Sequence, residues 1–497
     1  MHLYCAAIDG FNLTLTHVEA DVAQGLPCCS IVGLGDVSIK EARQRIRPAI
    51  KNSGYHYPLR RMVINLSPAH IKKHGSLFDV PIALSILYAS GQVKTARHTA
   101  VFCCGELTLN GNIRRVPGVF ALVHCAKQHG FKQVIVPYDN RNEAACIDGI
   151  NVYAAKTLRE VVAIITQGGT KPVSLKKHTA HRVQAAIDMA DIRGHQVPKR
   201  ALEIAAAGRH HVCLVGPPGT GKTMLAKAIP GIMPPLDKES ITELCMIYSL
   251  ANKGNWSSFL HAARPFRHVH HSVSTATLLG GGMPVQCGEM SLAHKGVLFL
   301  DEFAEFNTKQ LEGLREPLQE GVVRLGRRGR MHVFPAQVQL IAAMNPCPCG
   351  YHGDREKRCL CTPYQIKRFY KKISGPIIDR IDIVIDVPRV DAHRILNGVK
   401  DETSLTIQKR VHNVWRMQKK RGLRNAEIEL KHLHTSIPIR TETRQFAEQV
   451  QKKLALSTRS YVSLIRIART IADLDHATYI EKSHLAEAVQ YKKISYI

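Results

Sequence analysis

A glycine-rich stretch, GPPGTGKT, lies between the apolar run VCLV and the helical pattern MLAKAI. A strand, a flexible loop and a helix in this order are typical of a phosphate-binding loop, although a chance glycine-rich turn is the alternative. Glycines let backbone N–H groups approach phosphates, a lysine reaches the β- and γ-phosphates, and a hydroxyl can bind Mg²⁺. The predicted ATP-binding residues are Gly216, Pro217, Pro218, Gly219, Thr220, Gly221, Lys222 and Thr223.

Polar residues also follow two further apolar runs. Asp301 and Glu302 end GVLFLDEF, and Asn345 ends VQLIAAMN. Polar groups at the carboxyl ends of parallel strands meet at one edge of the sheet, where ligands bind. We expect Asp301 to bind Mg²⁺ with Thr223, Glu302 to polarise the attacking water, and Asn345 to hold that water. A polar turn or a helix cap is the simpler alternative for each.

Four cysteines form a compact group in CPCGYHGDREKRCLC. Cys347 and Cys349 make one C-x-C pair, Cys359 and Cys361 make another, and nine residues separate the two pairs. Four thiolates can close a tetrahedral zinc site, although C-x-C is less usual than C-x-x-C. Because free thiols prefer buried apolar places and this loop is rich in Gly, Lys and Arg, we expect structural zinc here rather than free or redox thiols. His352 is a spare ligand.

Composition constrains the partners and the location. The chain has 497 residues and a net charge of +28, which favours a polyanionic partner such as nucleic acid, with a basic proteome or a solvated surface as the alternative. We see no secretory signal, and the longest apolar stretch is too short to span a bilayer. We therefore expect a cytoplasmic protein without a membrane partner, whose 14 cysteines stay reduced.

Patterning along the chain predicts the domain organisation. Residues 1–166 mix strand-like runs such as RRMVINLSP and FKQVIVPYD with the helical pattern DVSIKEARQRIRPAIKNSG, which favours an α+β domain. Residues 167–187 are polar and turn-rich, as in a linker. Strands and helices alternate over 188–395, which indicates a three-layer α/β nucleotide-binding domain, and 396–497 is mainly helical.

Longer motifs carry a family resemblance. GPPGTGKT, LFLDEF and AAMNP in this order resemble an AAA+ ATPase. DIRGHQVPKRALEIAAAGRHH, LREPLQEGVVRLGRRGR and SGPIIDRIDIVIDVP resemble the magnesium-chelatase-like branch, and within it the YifB/ComM group of competence-associated proteins. The resemblance covers nearly the whole chain.

This resemblance implies roles for further residues. Residues 396–497 would be a helical lid, Arg380 an arginine finger acting on a neighbouring subunit's ATP, and Arg459 the sensor-2 arginine. A shared site of this kind implies a ring, and related motors are hexamers. A structural ion pair of Arg380 with Asp379 or Asp382 is the alternative.

The resemblance also indicates where DNA would bind. LLGGGMPVQCGE, residues 278–289, is similar to a helix-2 insert, although Gln286 and Cys287 replace the usual Arg-Pro. VVRLGRRGRMHVF is similar to a pre-sensor-1 hairpin, whose tip presents Arg327, Arg328 and Arg330. Cations on a hairpin suit phosphate contacts, while a solvated hairpin is the alternative. His270 and His271 lie before the first insert. A histidine pair can bind metal, but adjacent residues on a helix point in different directions, so we interpret them as structural or nucleotide-domain contacts.

The first domain resembles the Lon-protease-like domain with a ribosomal S5 domain 2-like fold. The position expected for the Lon nucleophile falls on Leu77, and Ser76 is one residue away. Lys72 and Lys73 do not make a dyad without a nucleophile. The sequence therefore predicts a non-peptidase scaffold or DNA-binding ring.

These expectations combine into one functional hypothesis. The chain is expected to be an ATP-driven hexameric DNA motor, a helicase that promotes branch migration on single-stranded, forked or branched DNA during natural transformation. A chelatase-type motor that remodels a protein partner is the alternative. The basic charge and the arginine hairpin favour DNA.

Overall fold

The computed structural model describes residues 1–94, 100–168, 171–174, 187–327, 329–373, 375–390, 401–429 and 438–492. The chain forms two compact units. One contains Met1–His181 together with Ile241–His261 and Gly326–Val333, and the other contains Arg182–Ser240, Ala262–Leu325 and Phe334–Ile497. Each unit therefore combines segments that are distant in sequence. Most of the predicted linker, residues 169–170 and 175–186, lies outside the described residues.

The first unit is built on a mixed seven-stranded sheet with the order β3-β4-β2-β1-β5-β8-β9. The short strands β6 and β7 pair separately. The strands are β1 His2–Asp9, β2 Asn12–Ala23, β3 Cys28–Val32, β4 Arg61–Ser67, β5 Ala100–Cys103, β6 Glu106–Leu107, β7 Ile113–Arg114, β8 Gln133–Pro137 and β9 Asn151–Ala155. The helices are α1 Val37–Asn52, α2 Asp79–Ala89, α3 Val119–Gln128, α4 Arg141–Ala144 and α5 Leu158–Gln167.

The local sequence explains these elements. The Asp36 side chain accepts a hydrogen bond from Ile39 N at 3.0 Å and caps α1, whose apolar face buries Ile39, Ile46 and Ile50. In β4 the residues alternate between buried and more exposed positions, as expected for a strand with one face on a core. The predicted strands in RRMVINLSP and FKQVIVPYD and the predicted helix after Asp36 are confirmed.

The second unit contains a parallel five-stranded sheet with the order β11-β14-β17-β10-β18. Two further strand pairs, β12 with β13 and β15 with β16, form short hairpins, and the tip of the second hairpin, Gly326–Val333, belongs to the first unit. The strands are β10 Val212–Val215, β11 Phe266–Val269, β12 Gly280–Gly281, β13 Gln286–Cys287, β14 Val297–Leu300, β15 Val322–Arg327, β16 Arg330–Pro335, β17 Gln339–Met344 and β18 Ile383–Asp386. Strand β10 lies between β17 and β18 and precedes the other strands of this sheet in sequence, so the strand order reverses beside it, where α/β sheets bind ligands.

Helices cover both faces of the parallel sheet. Alternate residues of β10 enter different cores: Val212 and Leu214 pack in one, and Cys213 and Val215 in the other. The helices of this unit are α6 Gln196–Gly208, α7 Lys222–Ile232, α9 Thr275–Leu279, α10 Glu289–Leu292, α11 Thr308–Gly313, α12 Arg315–Glu320, α13 Pro363–Lys372 and α14 Gly375–Ile378. Helix α8, Lys238–Leu250, begins in this unit and lies mostly in the first. The predicted α/β domain with a parallel sheet is confirmed.

The carboxy-terminal part is helical, as predicted. Its described helices are α15 Ser404–Arg421, α16 Thr441–Lys453, α17 Thr458–Leu474 and α18 Lys482–Gln490. Their apolar faces join the core that includes Val212 and Leu214. Among the described residues, no helix is both long and apolar enough to cross a membrane.

Candidate functional site

The loop GPPGTGKT connects β10 to α7. Gly219 and Gly221 have φ angles of +78° and +86°, which favour glycine, and a Cβ on Gly216 would lie 2.3 Å from the carbonyl oxygen of Val387. Helix α7 begins at Lys222, and no side chain caps it. Its first-turn N–H groups therefore lack intrahelical partners, and such groups bind anions. The loop fits the phosphates of a nucleotide.

Lys222 lies folded against this loop. Its Nζ donates hydrogen bonds to the carbonyl oxygens of Gly216 and Pro217 at 2.7 and 2.8 Å. Burial lowers the pKa of Lys222 to about 8, although the Asp301 carboxylate opposes that shift. The negative charge of a bound phosphate would favour the protonated form and raise this pKa again.

Side chains from three strand ends converge around Lys222. The Asn345 Oδ1 atom lies 3.4 Å from Lys222 Nζ, and Thr223 Oγ1 lies 3.4 Å from Asp301 Oδ2. Strand pairing causes this convergence, because β17 lies between β10 and β14 in parallel register. The hydroxyl of Thr223 and the carboxylate of Asp301 are hard oxygen ligands of the kind that Mg²⁺ prefers. Their arrangement fits a magnesium ion beside the phosphate loop.

Glu302 has a different environment from Asp301. Its backbone is left-handed, with φ +52°, and about half of its side chain is exposed. Its Oε2 atom lies 3.1 Å from His270 Nε2 and 2.8 Å from His271 Nδ1. The histidine pair was not expected to converge, but the residues follow β11 outside a helix and both reach one carboxylate. Sequence reasoning missed this contact, for which adjacency of the histidines was the only signal.

Arg380 is half-buried near two other arginines. Its Nε and Nη2 atoms donate hydrogen bonds to Arg315 O and Gln319 Oε1, both at 3.1 Å. Burial, followed by the positive charges of Arg459 and Arg315, lowers the pKa of Arg380. Arg459 itself is exposed in the first turn of α17. Arg459 thus lies close enough to Arg380 for its positive charge to lower the pKa of Arg380.

Asp382 has partners that the ion-pair alternative for Arg380 did not include. Its carboxylate accepts a hydrogen bond from Ser463 Oγ and lies 3.3 Å from His210 Nδ1. Burial opposes ionisation of Asp382, but the hydrogen bond with His210 and the nearby charge of Lys492 outweigh it and lower the pKa of this carboxyl. Within the described residues, the Asp382 carboxylate therefore contacts His210 and Ser463 rather than Arg380.

The arginine hairpin consists of β15 and β16. Arg327 is exposed, Arg328 lies outside the described residues, and Arg330 is also exposed. Arg330 Nη1 lies 3.5 Å from Asp9 Oδ2, and its Nη2 donates a hydrogen bond to His70 O at 3.1 Å. Exposed ion pairs of this kind contribute about 0–1 kcal/mol. Arg330 must give up these weak contacts before it can bind a phosphate, whereas Arg327 is exposed without such a contact to a carboxylate among the described residues.

The glycine-rich segment 278–289 forms a small hairpin between α9 and α10. Gly280 pairs with Cys287 and Gly281 with Gln286 in antiparallel register. Its base is fixed by Arg267, whose guanidinium binds the Glu289 carboxylate through two hydrogen bonds of 2.6 and 2.8 Å. The tip residue Met283 is 73% exposed.

The four cysteines converge as their spacing predicts. Their Sγ atoms all lie within 4.8 Å of one another, with 3.3 Å between Cys347 and Cys349 and 3.5 Å between Cys349 and Cys359. Zinc–sulfur bonds of about 2.3 Å in a tetrahedron place sulfurs about 3.8 Å apart, close to these values. The His352 N–H donates to Cys347 Sγ at 3.3 Å, and the imidazole is not part of the cluster.

The surroundings of the four cysteines also stabilise the thiolate form of Cys349. Burial opposes ionisation of Cys349, but backbone hydrogen bonds from Tyr351 and Leu360 outweigh it and lower its pKa to about 6. The loop is anchored on either side by Tyr370, whose hydroxyl donates to Pro346 O at 3.1 Å, and by an Arg389–Asp354 pair at 2.9 Å. These residues fit a structural zinc ion.

The candidate protease residues of the first unit, Ser76 and Lys73, form hydrogen bonds with different partners. The Ser76 hydroxyl donates to Glu106, whereas Lys73 Nζ donates to the carbonyl oxygens of Pro68 and, at 3.0 Å, Gly33. Leu77 is buried. A Ser–Lys dyad requires a direct contact between hydroxyl and amine, and the described geometry gives each a different partner.

Comparison with known proteins defines the class. Residues 188–395 match the family described as magnesium chelatase, subunit ChlI; residues 18–140 match subunit ChlI of Mg-chelatase, and residues 401–492 match the ChlI C-terminal family. The chain belongs to the magnesium-chelatase-like family. Within it, the chain is of the YifB/ComM type.

Relatives support this assignment over nearly the full length. The chain is 39% identical over 495 residues to an uncharacterized protein YifB of Salmonella typhimurium, covering 98% of this chain and 95% of that protein. It is 38% identical over 500 residues to competence protein ComM of Haemophilus influenzae, covering 99% and 97%. A shorter match, 34% identity over 96 residues, links 19% of this chain to 17% of Lon protease 2 of Bacillus subtilis.

Proposed function

We propose that this protein is an ATP-driven DNA motor, a helicase that promotes branch migration on single-stranded, forked or branched DNA. The convergence of Lys222, Thr223, Asp301 and Asn345 beside an uncapped helix carries the proposal, because phosphate, magnesium and water need those groups together. The relative named competence protein ComM supports a role in recombining incoming DNA during natural transformation. The cytoplasmic location stays a prediction.

Each side chain has a distinct role in the proposed hydrolysis. Lys222 and the first-turn N–H groups of α7 bind the phosphates, and Thr223 and Asp301 hold the magnesium ion. When bound, Mg²⁺ neutralises charge on the phosphate oxygens. Asn345 orients the attacking water, and Glu302 accepts its proton. Glu302 must first leave the histidines that it contacts in this structure.

We further propose that the site is completed by a second subunit in a hexameric ring. The described contacts of Lys222 are with its own loop and Asn345, so its partners do not include Arg380 or Arg459. The two arginines lie near each other and reinforce each other's positive field. An arginine finger with a nearby second cation suits the negative phosphates of a neighbour's ATP.

DNA contact is assigned to the hairpin of β15 and β16. Arg327 is exposed, and none of its described contacts is with a carboxylate. Phosphate contacts need positive charge rather than base edges, which fits the net charge of +28. Arg328 is included from the sequence, and Arg330 needs to leave Asp9 to take part.

The remaining parts of the chain are proposed to be structural. Residues 1–166 form a non-peptidase domain of the Lon-like, S5-type fold, a view supported by the separate partners of Ser76 and Lys73. Residues 167–187 act as a linker, 188–395 as the ATPase domain and 396–497 as the helical lid. A zinc ion held by Cys347, Cys349, Cys359 and Cys361 stiffens the loop between Asn345 and the segment that carries Arg380.

Motor activity on a protein partner is the second candidate. The match to a magnesium chelatase subunit and the pairing of Arg330 with Asp9 favour it. ATPase turnover measured alone, with forked DNA and with heparin separates the two. A DNA motor is stimulated by forked DNA and not by heparin, which supplies charge without a DNA backbone. Equal turnover with and without forked DNA contradicts the DNA proposal.

A further inference from the structure

Three ligand atoms meet at Glu302 outside the magnesium position. One ring nitrogen each of His270 and His271 and one carboxylate oxygen of Glu302 all lie within 4.8 Å of one another. The His271 Nδ1 atom is buried, and no hydrogen bond reaches it within the described part of the chain, although Glu302 Oε2 lies only 2.8 Å away. A nitrogen and a carboxylate oxygen that approach closely without a hydrogen bond between them can both bind one ion.

The distances suit a small tetrahedral ion. Zinc bonds of about 2.0–2.1 Å to imidazole nitrogen and carboxylate oxygen place ligand atoms about 3.3 Å apart. The histidine nitrogens lie 3.1 and 2.8 Å from Glu302 Oε2, so a small side-chain adjustment is sufficient. Two imidazoles and one carboxylate are also the ligands that zinc uses when it keeps a fourth position for solvent.

Access and selectivity agree with this assignment. The side chains of His270 and Glu302 are 54% and 51% exposed, so an ion can enter from solvent. Mg²⁺ prefers oxygen ligands, whereas imidazole nitrogen selects Zn²⁺ and its neighbours among the transition metals. Thr223 and Asp301 offer oxygens nearby, so the two kinds of ion use different atoms.

We propose that His270, His271 and Glu302 form a transition-metal site suited to Zn²⁺, whose occupation withdraws Glu302 from ATP hydrolysis. The withdrawal, unlike the site itself, rests on the proposed function, in which Glu302 accepts a proton from water. A carboxylate bound to Zn²⁺ is a poor base because the ion holds its electron pairs. Zinc would thus act as a reversible inhibitor of the ATPase.

Metal content tests the site without reference to activity. The full-length protein is dialysed against Zn²⁺ in buffer containing Mg²⁺ and no nucleotide, and bound zinc is measured by atomic spectrometry. We expect the His270→Ala/His271→Ala variant to bind about one zinc per chain less than the native protein. This difference does not depend on what the four cysteines bind.

The chain offers a matched control. His2 and His17 are also neighbours, with ring centroids 5.5 Å apart, and His17 lies 3.7 Å from Glu19, but these three groups do not converge. The His2→Ala/His17→Ala variant is expected to bind as much zinc as the native protein. Glu302→Gln, which keeps the shape of the side chain, is expected to weaken zinc binding at least about tenfold. Native zinc content in the His270→Ala/His271→Ala variant overturns the proposal.

The ATPase rate tests whether bound zinc withdraws Glu302 from ATP hydrolysis. Micromolar Zn²⁺ is expected to reduce the ATPase rate of the native protein, a chelator to restore it, and the residual rate of the His270→Ala/His271→Ala variant to be insensitive. Zinc binding at these residues without inhibition overturns the withdrawal of Glu302. If no preparation hydrolyses ATP while the zinc difference is found, the proposed function has failed and the metal site stands.

Discussion

The amide oxygen of Asn345 lies 3.4 Å from the ammonium nitrogen of Lys222, although 123 residues separate them in sequence. The pairing of β17 with β10 places both at one edge of the parallel sheet. An amide oxygen beside a lysine that binds phosphate can sense whether a γ-phosphate is present. This relationship defines the nucleotide site and leads to the first prediction.

Replacing Lys222 and replacing Glu302 should each stop ATP hydrolysis, but at different steps. Lys222→Ala removes the cation that faces the phosphates, so ATP binding is expected to be lost, whereas Glu302→Gln is expected to bind ATP but hydrolyse it at least about a hundredfold more slowly. Binding of a fluorescent ATP analogue and phosphate release measure the two effects. Lys227→Ala, an exposed change on the same helix, is the control. Normal turnover in Glu302→Gln contradicts its assignment.

The pKa of Lys222 predicts a pH dependence of ATP binding. Burial lowers this pKa to about 8 in the free site, and bound phosphate favours the charged form. Above pH 8 the free lysine is neutral and binding must take up a proton, so affinity should fall by up to about tenfold per pH unit. Calorimetry at pH 9 in buffers of different ionisation enthalpy detects the proton. Lys222→Arg, which stays charged, should lose the effect, and equal proton uptake in this variant refutes the explanation.

Subunit mixing tests the shared site. Neither Arg380→Ala nor Lys222→Ala protein is expected to hydrolyse ATP alone. Mixed rings contain interfaces with an intact Lys222 from one chain and an intact Arg380 from its neighbour, so part of the activity should return. ATPase rate is measured against mixing ratio, with mass photometry to show that mixed rings form. Mixed rings without activity at any ratio count against Arg380 as an arginine finger.

Zinc content tests the four-cysteine cluster. Protein purified without chelators is expected to carry about one tightly bound zinc per chain. Cys359→Ser with Cys361→Ser should lose it and increase proteolysis between 347 and 361, while ATP binding persists. Cys28→Ser with Cys29→Ser, an adjacent pair outside the cluster, is the control. Absence of zinc from the native protein contradicts the assignment.

The sequence predicted the parts of this protein that depend on local pattern. Apolar runs such as VCLV became buried parallel strands, and the polar residues that follow them met at one sheet edge because parallel strands align their ends. Contacts that depend on register and side-chain direction were not predictable. The convergence of His270 and His271 on Glu302 requires β11 to lie beside β14, and the contact of Arg330 with Asp9 joins residues 321 positions apart.

Arg380 shows the same limit on a smaller scale. The sequence offered Asp379 and Asp382 as its partners, because they are its neighbours in the chain. In the fold, the Asp382 carboxylate lies against His210 and Ser463, while Arg380 donates hydrogen bonds to α12. Long side chains choose partners by tertiary packing, so Asp382 was a poor guide to the contacts of Arg380, whereas the charge of Asp379 does act on this arginine.

Strand displacement from forked DNA decides whether this protein is a DNA motor that uses the arginine hairpin. The native protein, the Arg327→Ala/Arg328→Ala variant and a charge-matched Arg60→Ala/Arg61→Ala control are compared with ATP, after their basal ATPase rates are shown to be equal. We expect the native protein and the control to unwind the fork and the hairpin variant to fail, with a salt dependence of its DNA binding that is flatter by roughly 0.7–0.9 per lost contact. Full unwinding by the hairpin variant would remove the hairpin from the mechanism, and no unwinding by the native protein would refute the proposed helicase.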